Sequence, residues 1–279
     1  MSRLCDPRVK PPFGAQLDRE HPLSRGLVSC WLFNEGTGRL ANNIGLVGGA
    51  SVVQGGARWQ ADQRGPALVL GEANGHMVPD PKSINPFLGE NQDFALTFWW
   101  RAFPPYPVGT WHLLGNYAHR TGESCFLFYT DVNAYGSWVY CTVREYWPEG
   151  SRSFSVRWDN GTDGHWHHYA LTRRGTTIRL YQDGQLAVTD TDEHNALGLA
   201  PASQRLTLGR APAGGQYCPG AFNELRLYDR GLTQDEIAWL YAEPYAGIDC
   251  QPWHIFSAER YFPRRKQQLD GAPFGGVIR

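Results

Sequence analysis

Four aromatic side chains stand where a ring could stack on a sugar: Trp111, Tyr146, Trp147 and Trp158 lie near predicted strand ends or in loops. Each offers a flat apolar face with a polar tip, although each could equally be a packing residue. Tyr146-Trp147-Pro148 is the foremost of these, because Pro148 and Gly150 place it at a turn. Glycan hydrolysis would need two carboxyls, about 5–5.5 Å apart for retention and about 6.5–9.5 Å for inversion. Glu224 lies in a strand-like run, but Arg226 and Tyr228 follow it on the same face, and Asp190-Thr191-Asp192-Glu193 reads as a loop. His165 and His167 alternate and His168 adjoins them, a spacing open to imidazole metal ligation and equally to packing and hydrogen bonding within a sheet. Asp131, Asn133, Asp159, Asn160 and Asp163 are loop oxygens of the kind calcium takes, yet no spacing selects among them and ordinary turn use explains them. No catalytic residue, metal site or cofactor is therefore expected, calcium being the one ion for which donors exist. Gly214-Gly215 lacks a following Lys and helix, so it is a turn and not a phosphate loop. No Ser or Cys sits in a nucleophile elbow.

The elements that must hold these residues are strands. Phe94, Leu96, Phe98 and Trp100 share one face by the period of two. Residues 26–34 are apolar on both faces, as in a strand covered on both sides. Further strands are predicted over 51–53, 67–70, 112–117, 125–129, 138–143, 154–156, 166–172, 177–182, 186–189, 206–209 and 222–228. Residues 173–176 predict one hairpin turn, and Asp183-Gly184 between apolar runs predicts another. One helix is expected: Thr233 and Glu236 form a capping box, Ile237, Leu240 and Tyr241 make the apolar stripe, and Pro244 ends it. Strands at this spacing predict an all-β sandwich.

The chain has 279 residues, enough for one large sandwich with extensions. Its 26 basic and 27 acidic residues offer no basic field for nucleic acid. No run of about 18 apolar residues predicts a membrane span. No apolar run follows Met1, so no cleavable signal is expected and folding in the cytoplasm of the producing cell is. Cys5, Cys30, Cys125, Cys141, Cys218 and Cys250 show no paired spacing and are expected as reduced thiols, several of them buried. Residues 1–22 read as an extended N-terminal arm, since Pro7, Pro11, Pro12 and Pro22 block helix. Residues 23–245 hold the sandwich. Residues 246–279 form a C-terminal arm too aromatic for a solvated linker.

Four segments carry a family resemblance: Gly26–Gly38, Phe94–Trp100, Trp166–Thr172 with Leu180–Gln185, and Gly220–Thr233 followed by the helix. Over about residues 24–243 the chain resembles the concanavalin A-like, laminin-G-like group. The resemblance implies a two-sheet antiparallel jelly roll with one short C-terminal helix. It implies that the Trp-His-His run packs within the sheet. It also implies glycan binding as one use of the fold and polysaccharide hydrolysis as another. In the glucanase branch the carboxylates follow Glu-x-Asp-x-x-Glu, and no such triplet occurs here. Lys10-Pro11-Pro12 with His21–Leu27, and the Tyr241–Tyr245 closure, resemble tailed-phage versions of the sandwich. That narrower resemblance implies a non-enzymatic virion protein, made in the host cytoplasm, that decorates a capsid or serves a tail. Its partners would be capsid or tail subunits and further copies of itself, with Phe13, Trp253, Phe256, Tyr261 and Phe262 as anchors. A carbohydrate-binding adhesin is the alternative, and a polysaccharide hydrolase the third reading.

Overall fold

The structure is a computed structural model that describes residues 6–84, 92–116, 125–147, 150–191, 206–211 and 215–250, with the side chains of residues 145–147 outside the description. Among the described residues there are eighteen strands and two α-helices. The first nine strands are β1 (Gln16–Leu17), β2 (Leu27–Trp31), β3 (Leu40–Asn42), β4 (Ala50–Gln54), β5 (Arg58–Asp62), β6 (Gly65–Leu70), β7 (His76–Val78), β8 (Phe94–Ala102) and β9 (Gly109–Gly115). The others are β10 (Cys125–Asn133), β11 (Gly136–Trp147), β12 (Gly150–Trp158), β13 (Trp166–Arg174), β14 (Thr177–Gln182), β15 (Gln185–Thr191), β16 (Thr207–Leu208), β17 (Gly220–Tyr228) and β18 (Ile248–Asp249). The helices are α1 (Pro81–Ile84) and α2 (Gln234–Ala242).

Two sheets make an antiparallel sandwich. The first runs β12-β11-β10-β9-β16-β7-β4-β3, and the second runs β15-β14-β13-β8-β17-β6-β5 with β2 also paired to β17. The predicted alternation explains the packing between them. Phe94, Leu96, Phe98 and Trp100 of β8 all enter the main core, opposite Phe126 and Phe128 of β10 and Val139, Cys141 and Val143 of β11. Phe98 sits at its centre, edge-on to Phe128 at 5.0 Å and stacked on Tyr169 at 5.4 Å. The β14–β15 turn has Asp183 at φ 49° and Gly184 at φ 76°, the doubly left-handed geometry of a two-residue hairpin.

The second sheet is apolar on its outer face too. A second cluster there joins Leu27, Cys30, Ala95, Ala170, Tyr181 and Tyr228 to Ile237 and Leu240 of α2 and to Tyr245 and Ile248. The capping box is formed: the Thr233 side chain accepts from the Glu236 N–H, and the Glu236 carboxylate accepts from the Thr233 N–H. Tyr241 stacks on Trp99 at 5.6 Å.

Several expectations change in the fold. The strand expected over 26–34 ends at Trp31, and Phe33 takes φ 51°, where a ladder cannot continue. The described part of the N-terminal arm lies along its own domain. β1 pairs with β18, the Tyr245 N–H donates to the Pro7 carbonyl at 2.8 Å, and the Asp18 N–H donates to Gly247 at 2.9 Å. Phe13 is 66% exposed, whereas Trp253, Phe256, Tyr261 and Phe262 lie outside the described residues. The expectation of six reduced thiols fails at Cys250, which is disulfide-bonded. Cys30, Cys125, Cys141 and Cys218 are free and buried. No helix among the described residues is long and apolar enough to cross a membrane.

Candidate functional site

Because Phe126 and Phe128 point inward, their neighbours Cys125, Leu127 and Tyr129 take the outer face of the first sheet. The same alternation puts Trp138, Tyr140, Thr142 and Arg144 of β11 on that face. The registers bring them together: Cys125 lies opposite Arg144, Leu127 opposite Thr142, and Tyr129 opposite Tyr140 on one side and His112 on the other. A pocket of about 310 Å³ opens here, lined by Thr110, His112, Cys125, Leu127, Tyr129, Thr142, Arg144 and Gln216. Its floor and rim are well fixed. Tyr129 and Tyr140 stack at 5.2 Å with planes 10° apart. Thr142 Oγ1 donates to the Tyr129 oxygen at 3.4 Å and lies 2.7 Å from Ser155 Oγ. The Tyr129 proton is thus uncommitted among the described residues, and burial pushes the phenol pKa up, keeping it a donor. Thr110 donates to Asp131 at 3.3 Å on the rim. Gln216, at φ 49°, accepts the His112 N–H through its carbonyl at 2.9 Å and so turns its own side chain into the pocket wall.

Chemically the pocket offers an aromatic ring, three hydroxyls, an amide, an imidazole and a guanidinium beside one apolar patch. That mixture suits a polyhydroxylated ligand, whose hydroxyls need donors and acceptors while its C–H faces need an apolar surface.

The predicted aromatics fare differently. Trp158 is a correction: it is buried against Phe128, with ring planes 4° apart, and edge-on to Tyr169, so neither face can meet a sugar. Trp111 alternates with Thr110 and His112, packs against the main core and donates Nε1–H to Pro107 at 2.9 Å. Tyr146 and Trp147 belong to β11 opposite Ser151 and Gly150, and their side chains lie outside the description. The sequence reading missed Tyr129, Tyr140 and Trp138, although the alternation over 138–144 marks the last two as outward-facing.

The polar candidates have protein partners. Asp159 pairs with Arg157 at 2.8 Å, Asn160 accepts from Gln182 at 3.0 Å, and Asn133 accepts from the Tyr135 N–H at 2.9 Å. His167 bridges two acids, with Nδ1 at 2.7 Å from Asp183 and Nε2 at 3.2 Å from Asp163, which also meets His165 at 3.3 Å. Burial opposes its charge, but Asp183 and Asp163 together outweigh burial and raise its pKa. His168 is on the opposite face beside Trp99, and burial drives its pKa down to about 3. Among the described residues no group of three or more His, Cys, Asp and Glu could hold a metal ion. Glu224 is fully buried and salt-bridged to Arg226 Nε, which places its carboxylate behind the terminal segments and far from the pocket face.

Two face-to-face antiparallel sheets with one outer face sealed and the other presenting a polar, aromatic pocket define a lectin-like jelly-roll sandwich. The chain belongs to the Concanavalin A-like lectin/glucanases superfamily, which it matches over residues 70–238, more than half its length. Among solved structures it is similar to the binding domain of botulinum neurotoxin DC in complex with SialylT, with TM-score 0.58 and 11% identity over 79% of this chain and 52% of the other. It is similar to the binding domain of Paraclostridial mosquitocidal protein 1, with TM-score 0.58 and 14% identity over 78% of this chain and 52% of the other. A structure of botulinum neurotoxin type C, whose cell entry is described as dependent on two ganglioside molecules, matches with TM-score 0.56 and 12% identity over 78% and 51%. The chain spans about half the length of these structures, and identities this low carry the fold alone. No curated protein matches the chain.

Proposed function

We propose that this protein is a carbohydrate-recognition domain that binds a glycan in the pocket between β9, β10 and β11. The observation that carries the reading is the lining of that pocket: Tyr129 and Leu127 for the C–H face of a sugar, with Thr110, Thr142, Gln216 and His112 for its hydroxyls. The volume lies at the small end of ligand pockets, about 300 Å³ and upward, which suits one or two sugar rings. The superfamily and the glycan-related descriptions of the similar toxin domains support the same reading. Among the described residues the pocket lining includes no carboxyl, whereas glycoside hydrolysis by a carboxyl pair needs two, which supports recognition as the first reading.

The test is a glycan array followed by calorimetry on the hits. Tyr129→Ala is expected to weaken binding roughly tenfold or more, a loss of about 1.4 kcal/mol or above. An array with no hits, or a hit indifferent to Tyr129→Ala in a protein that still melts like wild type, overturns the proposal.

A particle-surface role in a phage virion is the second reading, favoured by the exposure of Phe13 at 66% beside a sealed domain. It places the protein on capsid or tail subunits and draws no support from the fold comparisons. Light scattering of wild type and Phe13→Ser checks it: an assembly that Phe13→Ser dissolves supports it, and a monomer that does not decorate particles sinks it.

A further inference from the structure

We infer that a notch in the second sheet is a receptor for a primary ammonium group, that Lys10 fills it in cis, and that this plug holds the N-terminal segment closed over the sheet. The inference is independent of the glycan reading and concerns the other sheet of the sandwich.

The notch arises from the way two strands share one edge of β17. On that edge β6 covers Gly220, Ala221 and Phe222, and β2 covers Leu225 to Tyr228. Asn223 and Glu224 lie between them, and neither strand reaches these two. On the other edge β8 sets Trp100 against Phe222 and Trp99 against Glu224, so Asn223 is the extra residue of a β-bulge and its carbonyl leaves the ladder. β6 meets β17 only from Leu68 onward, which leaves the Pro66 carbonyl without a partner there. β2 ends at Trp31, and Phe33, at φ 51°, turns its carbonyl toward the same gap.

Lys10 Nζ donates to all three carbonyls: to Asn223 at 2.8 Å, to Phe33 at 3.1 Å and to Pro66. An ammonium has three N–H donors and no acceptor, so three converging carbonyls saturate it. Hydrogen bonds hold the group, since among the described residues Glu224 is bridged to Arg226 and Asp62 to Arg101 at 2.8 Å. Glu224, Glu35 and Asp62 still favour the cation, whereas burial and Arg64 oppose it. The stem has its own slot. Gly65 lies beneath it, and a Cβ there would stand 3.2 Å from Lys10 Cβ and Cδ. Asn34 fixes the chain just beyond, donating to the Pro11 and Pro12 carbonyls at 3.0 Å each. Withdrawing Lys10 would take the donor from three carbonyls at once, which is what ties the strap to the plug.

The test uses the full chain at pH 6, below the Lys10 pKa of about 7, with Tm and hydrophobic-dye binding as readouts. Lys10→Met keeps the stem and loses the ammonium, and is expected to lower Tm and bind dye. Lys10→Ala opens head site and stem slot together. n-Propylammonium chloride is expected to restore the Lys10→Ala Tm along a saturating curve, beyond any effect of KCl or tetramethylammonium chloride at equal ionic strength, because neither of those cations has an N–H to donate. Wild type should show no such specific shift. In wild type, acetylation by an N-hydroxysuccinimide ester, read by mass spectrometry, is expected to be about tenfold or more slower at Lys10 than at exposed Lys82. Lys10→Met with the wild-type Tm overturns the plug. Equal rescue by KCl or tetramethylammonium, or no rescue of a folded Lys10→Ala protein, overturns the ammonium receptor. Equal acetylation of Lys10 and Lys82 overturns the inference even where neither variant folds.

Discussion

At the scale of single residues, the outer face of the second sheet is governed by buried charge. Arg226 is wholly buried and makes its salt bridge to Glu224 within one strand. It also donates to the carbonyls of Pro244 and Ala246, tying the segment after α2 to the sheet. Lys10 reaches the same region, donating to the carbonyls of Phe33, Pro66 and Asn223, and burial pulls its pKa down to about 7 despite the raising effect of Glu224. A buried ion pair adds little net stability, but removing one member strands the other in a low-dielectric interior. Arg226→Met is therefore expected to cost about 3–5 kcal/mol in urea unfolding, and Glu224→Leu combined with Arg226→Met to cost less than the single change. A double variant as unstable as the sum of two independent losses would show that the residues are not coupled.

At the scale of elements, His167 joins the loop between β12 and β13 to the turn between β14 and β15. Asp163 comes from the first and Asp183 from the second, with His165 sharing Asp163 and the Tyr169 ring 6.4 Å away. Asp183 additionally accepts the His168 N–H at 2.9 Å, so the turn is fixed through both carboxylate oxygens. The folded pKa of His167 is raised above the ordinary 6.5. A folded state that holds its proton more tightly gains stability at low pH and loses it as pH climbs through the folded pKa. The difference in Tm between wild type and His167→Gln should accordingly be greatest below about pH 6 and shrink toward alkaline pH. A difference that stays constant from acid to alkaline pH would rule out the charged clasp.

At the scale of the whole molecule, the sandwich has two outer faces with opposite fates. The outer face of the second sheet is sealed by α2, by β1 with β18 and by the Lys10 segment, while the β9–β12 end of the first sheet carries the pocket. The terminal segments are thus part of the folded domain as far as Cys250. Deleting residues 1–18 is expected to lower Tm and expose an apolar face that binds hydrophobic dye, because Lys10, Ala15 and β1 are lost together. An unchanged Tm in the 1–18 deletion would mean that the N-terminal segment contributes nothing to the seal.

Sequence alone determined the sandwich. Alternation at Phe94–Trp100, the Asp183-Gly184 turn and the Thr233/Glu236 capping box are local signals, each set by dihedral preference or by side chains a few residues apart. The same rules, applied to residues 138–144, would also have turned Trp138, Tyr140, Thr142 and Arg144 to one face. Short strands such as β3 and β7 carried too few residues for periodicity to register, and β1 and β18 lie 231 positions apart between Leu17 and Ile248 and exist only by pairing. The site was decided by tertiary structure. Which face of a strand meets the opposing sheet depends on the other sheet, so Trp158 and Trp111, plausible as surface rings, went to the core side. Whether His112, Tyr129 and Arg144 share a pocket depends on the registers of three strands, a long-range property that no local pattern encodes. Proline placement marked the arm as extended, yet Pro22 opens a short 3-10 helix, Pro22–Ser24, and only packing decided that Lys10 would anchor the described part of the arm to its own domain.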